Sequence, residues 1–387
     1  MSDSDSSASS DTEDRAIADA MVEKLLNNDH TLTNIDYCYD DVSEETIHRL
    51  VEALQNNVMV DWLSFTGCDL TVGSARAISD MFRINRRVRH LVLNNNSCMG
   101  AEGVVAIMEG LCENRKLQSI MLEDNDIGIA ALRAITRMLQ VNSTLQELSL
   151  GCNVLTNDET FADFARSFIA NQSLVRLELG HCNLLACSVQ HLFECIQGHP
   201  TLAHLDLTGN HLNADISESF GNLLRQNHSL RTISVTDNCL GSQTAAAVAL
   251  ALEENTTLQS LVMGNNGIDD EGALALSRSL PRMKGLYDLC LHHNDMTYKG
   301  CKALIAGMLR NQSLHSLSLG SRTLALTSAM KQEIQFYKRR NRIGWSTLDS
   351  SSLTWALWPH ILAKLSSEPS MAYFFICQAP VVVSQAT

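Results

Sequence analysis

The segment from Leu145 to Leu155, LQELSLGCNVL, spaces its leucines at steps of three, two and five, with an Asn two places before the last. A helix wants apolar steps of three and four, and a half-buried strand wants strict alternation. This spacing keeps neither for long, yet it recurs. Leu117 opens LQSIMLEDNDI, Leu174 opens LVRLELGHCNL, Leu202 opens LAHLDLTGNHL and Leu258 opens LQSLVMGNNGI. Aligned on the first apolar residue, units begin at Leu32, Val60, Val88, Leu117, Leu145, Leu174, Leu202, Leu230, Leu258, Leu286 and Leu314. The ten steps are 28 residues eight times and 29 residues twice. A period held that tightly means a stack of one supersecondary unit, each burying its apolar face on its neighbours.

Each place in the unit has a physical job. Counting from the first residue, Leu145, Leu148 and Leu150 occupy places 1, 4 and 6 and point into a shared core. Glu147, Ser149 and Gly151, at places 3, 5 and 7, lie on the opposite face of a short strand. Place 9 is Asn in seven units: Asn96, Asn125, Asn153, Asn210, Asn238, Asn266 and Asn294. An Asn there satisfies turn backbone that a buried bend would leave without partners. Cys68 and Cys182 replace it in two units, Asp40 and Arg322 in the end units.

The second half of each unit reads as a helix. In NDETFADFARSFIANQSL, Phe161, Phe164, Ala165, Phe168 and Ile169 follow the spacing of one buried helical face. That helix ends near Asn171, three residues before the next strand. Asn57, Asn85, Asn114, Asn142, Asn227, Asn255 and Asn311 hold the same place. Asn tolerates the left-handed conformation that closes many helices, so these residues are expected to adopt it.

Strands stack about 4.8 Å apart, whereas packed helices need roughly 8–10 Å. Parallel strands must therefore line the inner side of an arc and helices the outer side, with about 50 Å of inner face over eleven strands. The pattern L-x-x-L-x-L-x-x-N/C-x-L is the leucine-rich signature. Long units with a full helix resemble the ribonuclease-inhibitor type of leucine-rich repeat, over residues 30–325. The resemblance implies an α/β leucine-rich-repeat solenoid, a horseshoe with strands on the concave face and helices on the convex face, and a binding role. It names no ligand, because fold alone is a weak warrant for function.

The expected organisation is an acidic disordered tail over 1–12, an N-terminal capping helix over 13–31, eleven repeats over 32–325 and a C-terminal helical cap over 326–387. The repeat makes one elongated domain of a chain whose 387 residues would otherwise suggest two or three. Within the cap, NRIG followed by WALWPHIL and YFFICQAPVVV resembles a flank found on such repeat proteins in single-celled algae. Asn341, Arg342, Gly344, Trp358, Pro359 and Pro380 match it, and Trp345 stands where Arg is common. Ser2 and Ser10, each with an acidic residue three places on, have the spacing of acidophilic kinase sites beside their plain role in a solubilising tail.

A net charge of −14 argues against nucleic acid or an anionic membrane as partner, since both need basic patches. The 12 Cys lack metal-finger spacing and are expected to be reduced, mostly packed thiols. The N-terminus MSDSDSSASSDTEDR has no apolar signal core, and no run reaches transmembrane length. A cytoplasmic protein, with the nucleus also open to it, is the expectation, as is a monomer.

Places 3, 5, 7 and 8 of each unit are free for function. They hold Asp36, Glu123, Asp124, Glu147, Glu178, Asp206, Asp237 and Asp288, against a single cation, Arg176. A wall of one sign focuses field on a partner of the other sign. Glu123, Asp124, Glu147, Arg176, Glu178, Asp206, Asp237 and Asp288 are therefore the expected contacts for a protein with a basic surface. Glu123, Asp124, Glu147 and Glu178 would form one patch, and Arg176 would pair with Glu147. Such charges can also be plain solvated polar residues.

Asp288, Cys290 and His292 alternate on one strand and suggest a metal site or a Cys–His pair. Side chains two apart on a strand stand about 6.5–7 Å apart, long for a hydrogen-bonded dyad, and Val262, Gly264, Ser318 and Gly320 offer no third ligand. No catalytic residue, metal or cofactor is expected. The reading is a non-enzymatic protein-binding scaffold or regulator. GTPase activation of the Ran-activator type is the alternative that the resemblance implies. Inhibition of a ribonuclease ranks below it, because only Trp62 and Tyr39 offer aromatic anchors on the free places.

Overall fold

The computed structural model describes residues 18–321 and 326–342, apart from Asp41 and Asn157. The tail 1–12, the start of the capping helix, Arg322 and everything from residue 343 on, including Gly344, Trp345, Trp358, Pro359 and Pro380, lie outside the described residues. The chain divides into two compact units, 1–238 and 239–387.

In the first unit a helix α1 spans 18–26. Then strands and helices alternate: β1 (Asn34–Cys38), α2 (Glu44–Leu54), β2 (Trp62–Thr66), α3 (Val72–Ile84), β3 (His90–Val92), α4 (Gly100–Glu113), β4 (Ser119–Met121), α5 (Ile129–Val141), β5 (Glu147–Ser149), α6 (Asp158–Ala170), β6 (Arg176–Glu178), α7 (Ala186–Ile196), β7 (His204–Asp206), α8 (Ser217–Gln226) and β8 (Thr232–Ser234). Neighbouring strands pair in parallel and in strict register, as in Ser119↔Glu147↔Arg176↔His204. The second unit continues the pattern with α9 (Gly241–Leu252), β9 (Ser260–Val262), α10 (Asp270–Ser279), β10 (Asp288–Asn294), α11 (Tyr298–Met308), β11 (Ser316–Ser321) and α12 (Ser328–Arg342). The architecture is an α/β leucine-rich-repeat solenoid.

The leucine places form the core, with Leu145, Leu148 and Leu150 at most 1% exposed. Place 9 does more than close its own turn. The Asn153 side-chain oxygen accepts from the backbone N–H groups of Asn125 and Ile127, both at 3.0 Å. Its amide nitrogen donates to the carbonyls of Leu122, Leu150 and Gly151. One side chain thus satisfies five buried backbone groups in two repeats. Cys182 substitutes only the donor half, its thiol reaching the Leu150 and Gly180 carbonyls. Burial pushes that thiol up to about 12 and the thiol of Cys68 up to about 11.

The helix-end Asn residues depart from expectation. None of the eight has positive φ; Asn85, Asn114, Asn142 and Asn227 are extended, with φ between −62° and −84°. Their reason is a second ladder. Asn85 accepts from the N–H groups of Arg87 and Val88 at 2.8 Å and donates to the carbonyl of Leu54, one repeat back. His199 holds this place before Leu202. Its Nδ1 accepts from the N–H groups of Thr201 and Leu202, but its buried Nε2 has no partner. Burial holds this imidazole below its usual range, against a smaller opposing influence of the nearby Asn171 backbone, which Nε2 does not meet in hydrogen-bonding geometry.

The α6 face also differs by one residue. Phe161, Phe164, Ala165 and Phe168 are buried, but Ile169 is 66% exposed. The buried arc turns the other way, onto Thr160 and Ser167, so Ile169 falls beyond its edge. At the start of the chain, α1 stands in for a repeat. Ala18 and Leu25 are buried, and Asn57 donates to the Leu25 carbonyl as it would to an earlier repeat. In the second unit, Arg340 of α12 donates to the carbonyls of Met308, Leu309 and Asn311 at the end of α11. Asn341 reaches the Leu314 carbonyl.

Candidate functional site

Strict register puts like places of successive repeats on neighbouring rungs. In the first unit, place 3 brings Glu147, Arg176 and His204 side by side, and place 5 brings Ser149, Glu178 and Asp206 together. Arg176 stands between carboxylates: its Nε lies 3.8 Å from Glu147 and its Nη1 lies 3.5 Å from Glu178. The expected Glu147 partner is there, and Glu178 on the same strand is a second. These side chains are 33–42% exposed, so a partner can reach them and the pairs add little to stability. Asp206 accepts from the N–H and hydroxyl of Thr208, and Glu123 accepts from the Ser149 hydroxyl at 2.7 Å. Two carboxylates therefore flank one guanidinium, with Asp206 on the rung beside Glu178 and Glu123 bound to Ser149 on the rung beside it. Burial and then Arg176 hold His204 below the usual imidazole range, against Glu147. A neutral His204 adds no positive charge to the row at neutral pH.

Asp124 and Asp237 sit elsewhere than expected. They occupy place 8, which is not on the strand face: it is a turn residue with positive φ, 53° and 54° respectively. The same place is left-handed at Tyr39, Gly67, Asn95, Cys152, His181 and Gly209 in the first unit and at Asn265 and His293 in the second. The signal was the recurrence of Gly, Asn and Asp in one column, the residue types that tolerate that conformation. Asp124 remains exposed beside Cys152, whose thiol is pushed up by burial and then by Glu123 and Asp124.

Place 8 also builds ring contacts that the one-dimensional pattern did not suggest. A Cβ on Gly67 would run into the ring of Tyr39, and one on Gly209 into the ring of His181. In both of these cases the ring at place 8 is followed, one repeat later, by the glycine it rests on. The Tyr39 hydroxyl accepts from the Asn95 amide at 2.9 Å, and Trp62 stacks on His90 with ring centroids 5.2 Å apart. The early strands thus carry an aromatic patch, and the middle strands of this unit carry the acidic one. Asp36 is exposed on β1.

Asp288 belongs to the second unit, at place 3 of β10, where it accepts from the Ser260 hydroxyl at 3.1 Å. Next to it the structure corrects the expected separation of Cys290 and His292. Their Sγ and Nδ1 lie 2.7 Å apart. Ideal strand spacing ignores two local facts. Side chains lean along a strand, and the register of β10 slips between Leu291 and Asn294. The His292 ring lies over Gly264, where a Cβ would come within 2.5 Å of it.

Among the described residues, no group of three or more His, Cys, Asp or Glu is placed to hold a metal ion. No helix among them is long and apolar enough to cross a membrane. Eleven described cysteines are free thiols. Against the expectation of mostly packed thiols, Cys38, Cys98, Cys152, Cys187 and Cys239 are exposed, because they fall outside the leucine places.

Family models described as Leucine Rich repeat match residues 141–158, 254–277 and 201–223. The chain is similar to mouse (Mus musculus) ribonuclease inhibitor, 26% identical over 209 residues, covering 52% of this chain and 44% of that protein. It is similar to human (Homo sapiens) NACHT, LRR and PYD domains-containing protein 13, 27% identical over 193 residues, covering 49% of this chain and 18% of the relative. Mouse leiomodin-2 matches at 29% identity over 135 residues, 34% of this chain and 24% of the relative. The chain thus spans less than half the length of each of these relatives. With the repeat register, the two amide ladders and these matches together, the chain has leucine-rich-repeat architecture and is similar to ribonuclease inhibitor.

Proposed function

We propose that this chain is a non-enzymatic binding scaffold whose first unit holds a protein partner with a basic surface. One observation carries the reading: Glu147 and Glu178 flank the single strand-face cation Arg176 within reach of solvent, and Asp206 stands on the rung next to Glu178. Inward leucines and ladder asparagines account for the fold, and nothing in the core needs carboxylates at these places. The ion pairs hold the side chains in position, so a basic partner meets an ordered acidic surface and loses less side-chain entropy on docking. Similarity to a protein named for inhibiting ribonuclease supports a binding role and is consistent with a basic partner.

The test is partner capture from the source organism's lysate by wild type and by a variant with Glu123, Asp124, Glu147 and Glu178 each changed to Lys, at low and high salt. A basic protein retained by wild type and released by salt should fall at least about tenfold with the variant. Asp288→Lys, in the second unit, should leave retention unchanged. Equal capture by wild type and the four-site variant would remove the acidic face as the contact.

A further inference from the structure

We propose that Cys290 is a nucleophilic thiol with His292 as its proton acceptor, forming a site for small hydroperoxides. The argument starts from the pair itself. Cys290 Sγ lies 2.7 Å from His292 Nδ1, so the thiol proton has a base in direct reach. The lane around them is cleared of bulk. Val262 and Ser318 flank Cys290 on the neighbouring strands. Gly264 receives the His292 ring, and Gly320 comes no closer than 4.0 Å to the His292 Cβ even with a Cβ added. Both side chains are partly exposed, and among the described residues no other metal-binding group completes a metal site with them.

Other cysteines of the chain provide the contrast. Cys98 Sγ faces the Asp69 carboxylate at 3.8 Å. Cys152 sits by Glu123 and Asp124. A carboxylate beside a thiol disfavours the thiolate, whereas an imidazole accepts the proton and leaves the thiolate paired with a cation. Cys98 and Cys152 are exposed thiols beside carboxylates, and Cys290 is a partly exposed thiol against an imidazole.

The reaction balances on these groups. His292 Nδ1 takes the thiol proton. The thiolate attacks one peroxide oxygen, an S–O bond forms and the O–O bond breaks. The departing hydroxide or alkoxide takes the imidazolium proton and leaves as water or alcohol. Sulfur is oxidised by two electrons to the sulfenic acid, and the peroxide is reduced by the same two.

The test treats the full chain with limiting hydrogen peroxide and a sulfenic-acid trap, then reads each cysteine by peptide mass spectrometry. Cys290 should be trapped at least about tenfold faster than Cys98 and Cys152 in the same molecules. This internal comparison needs no variant. His292→Gln, which keeps a hydrogen-bonding side chain without a titratable base, should bring Cys290 down to the Cys98 rate while circular dichroism stays unchanged. Trapping of Cys290 no faster than Cys98 in wild type would overturn the proposal. So would a Cys290 rate that His292→Gln leaves unchanged in a folded chain.

Discussion

The first and second units use one frame to present different chemistry. In the first, the free places of β5 to β7 carry Glu147, Arg176, Glu178 and Asp206 on touching rungs. In the second, the same places of β9 to β11 carry Ser260, Asp288 and Ser316 on one rung row, and Val262, Cys290 and Ser318 on the next. Behind both faces the ladder residue is alike. Asn153 accepts from the N–H groups of Asn125 and Ile127, and Asn294 accepts from those of Asn266 and Ile268. The core dictates places 1, 4, 6 and 9 and is indifferent to places 3 and 5, so the exposed face varies without refolding the repeat.

The sharpest way to break this comparison is to remove the ladder residue from each unit. Asn153→Ala and Asn294→Ala should each cost about 3–5 kcal/mol, because each leaves two N–H donors and several carbonyls buried without partners. Chemical denaturation monitored by circular dichroism should show similar losses. A loss below about 1 kcal/mol in either unit would mean that the ladder does not hold that unit together.

A middle-sized effect separates backbone from ring. Gly67 has a φ of +64° and carries the Tyr39 ring, whereas Gly264 carries the His292 ring without a positive φ. Gly67→Ala should therefore destabilise by about 2 kcal/mol and Gly264→Ala by about 1 kcal/mol in the same assay. The reverse order would assign the cost to the rings alone.

The smallest effect should be a gain. His199→Asn replaces the unpartnered Nε2 with an amide placed, like that of Asn85, to donate to a carbonyl one repeat back, and should stabilise the chain by about 1 kcal/mol at neutral pH. It should also remove a pH dependence. Wild-type His199 has a folded pKa below the ordinary 6.5, so the unfolded chain binds the proton more readily. Stability is then lost as pH falls through 6.5 and levels off below the folded value. The advantage of His199→Asn should be constant above that pH and widen beneath it, which denaturation midpoints at several pH values would check.

What was legible in the sequence follows from range. Leucine places, strand faces and the period are local patterns, and they placed every described strand. The place-9 asparagines were legible as turn residues, but their bonds into the preceding repeat were not. The helix-end asparagines show the risk most clearly. Local propensity offered a left-handed cap, whereas the residues serve carbonyls about 30 positions earlier, as Asn85 does for Leu54. Counting columns placed Glu147, Arg176, Glu178 and Asp206 on neighbouring strand rungs and anticipated the Arg176–Glu147 pair. It missed that Asp124 and Asp237 lie on a left-handed turn, and that Cys290 touches His292. Both depend on local backbone bends, which an ideal alternating strand does not contain.

Both ladders also have a direction. Asn153 completes groups of the repeat begun at Leu117, and Asn171 donates to the Leu139 carbonyl of the helix before it. A repeat is finished by its successor. A polypeptide made from its N-terminus therefore leaves the ribosome with each new segment sealing the one already out, and only the newest edge raw. The order of translation is thus the order in which this architecture can close, and a stall within a repeat leaves one repeat, not the whole array, open to misassociation.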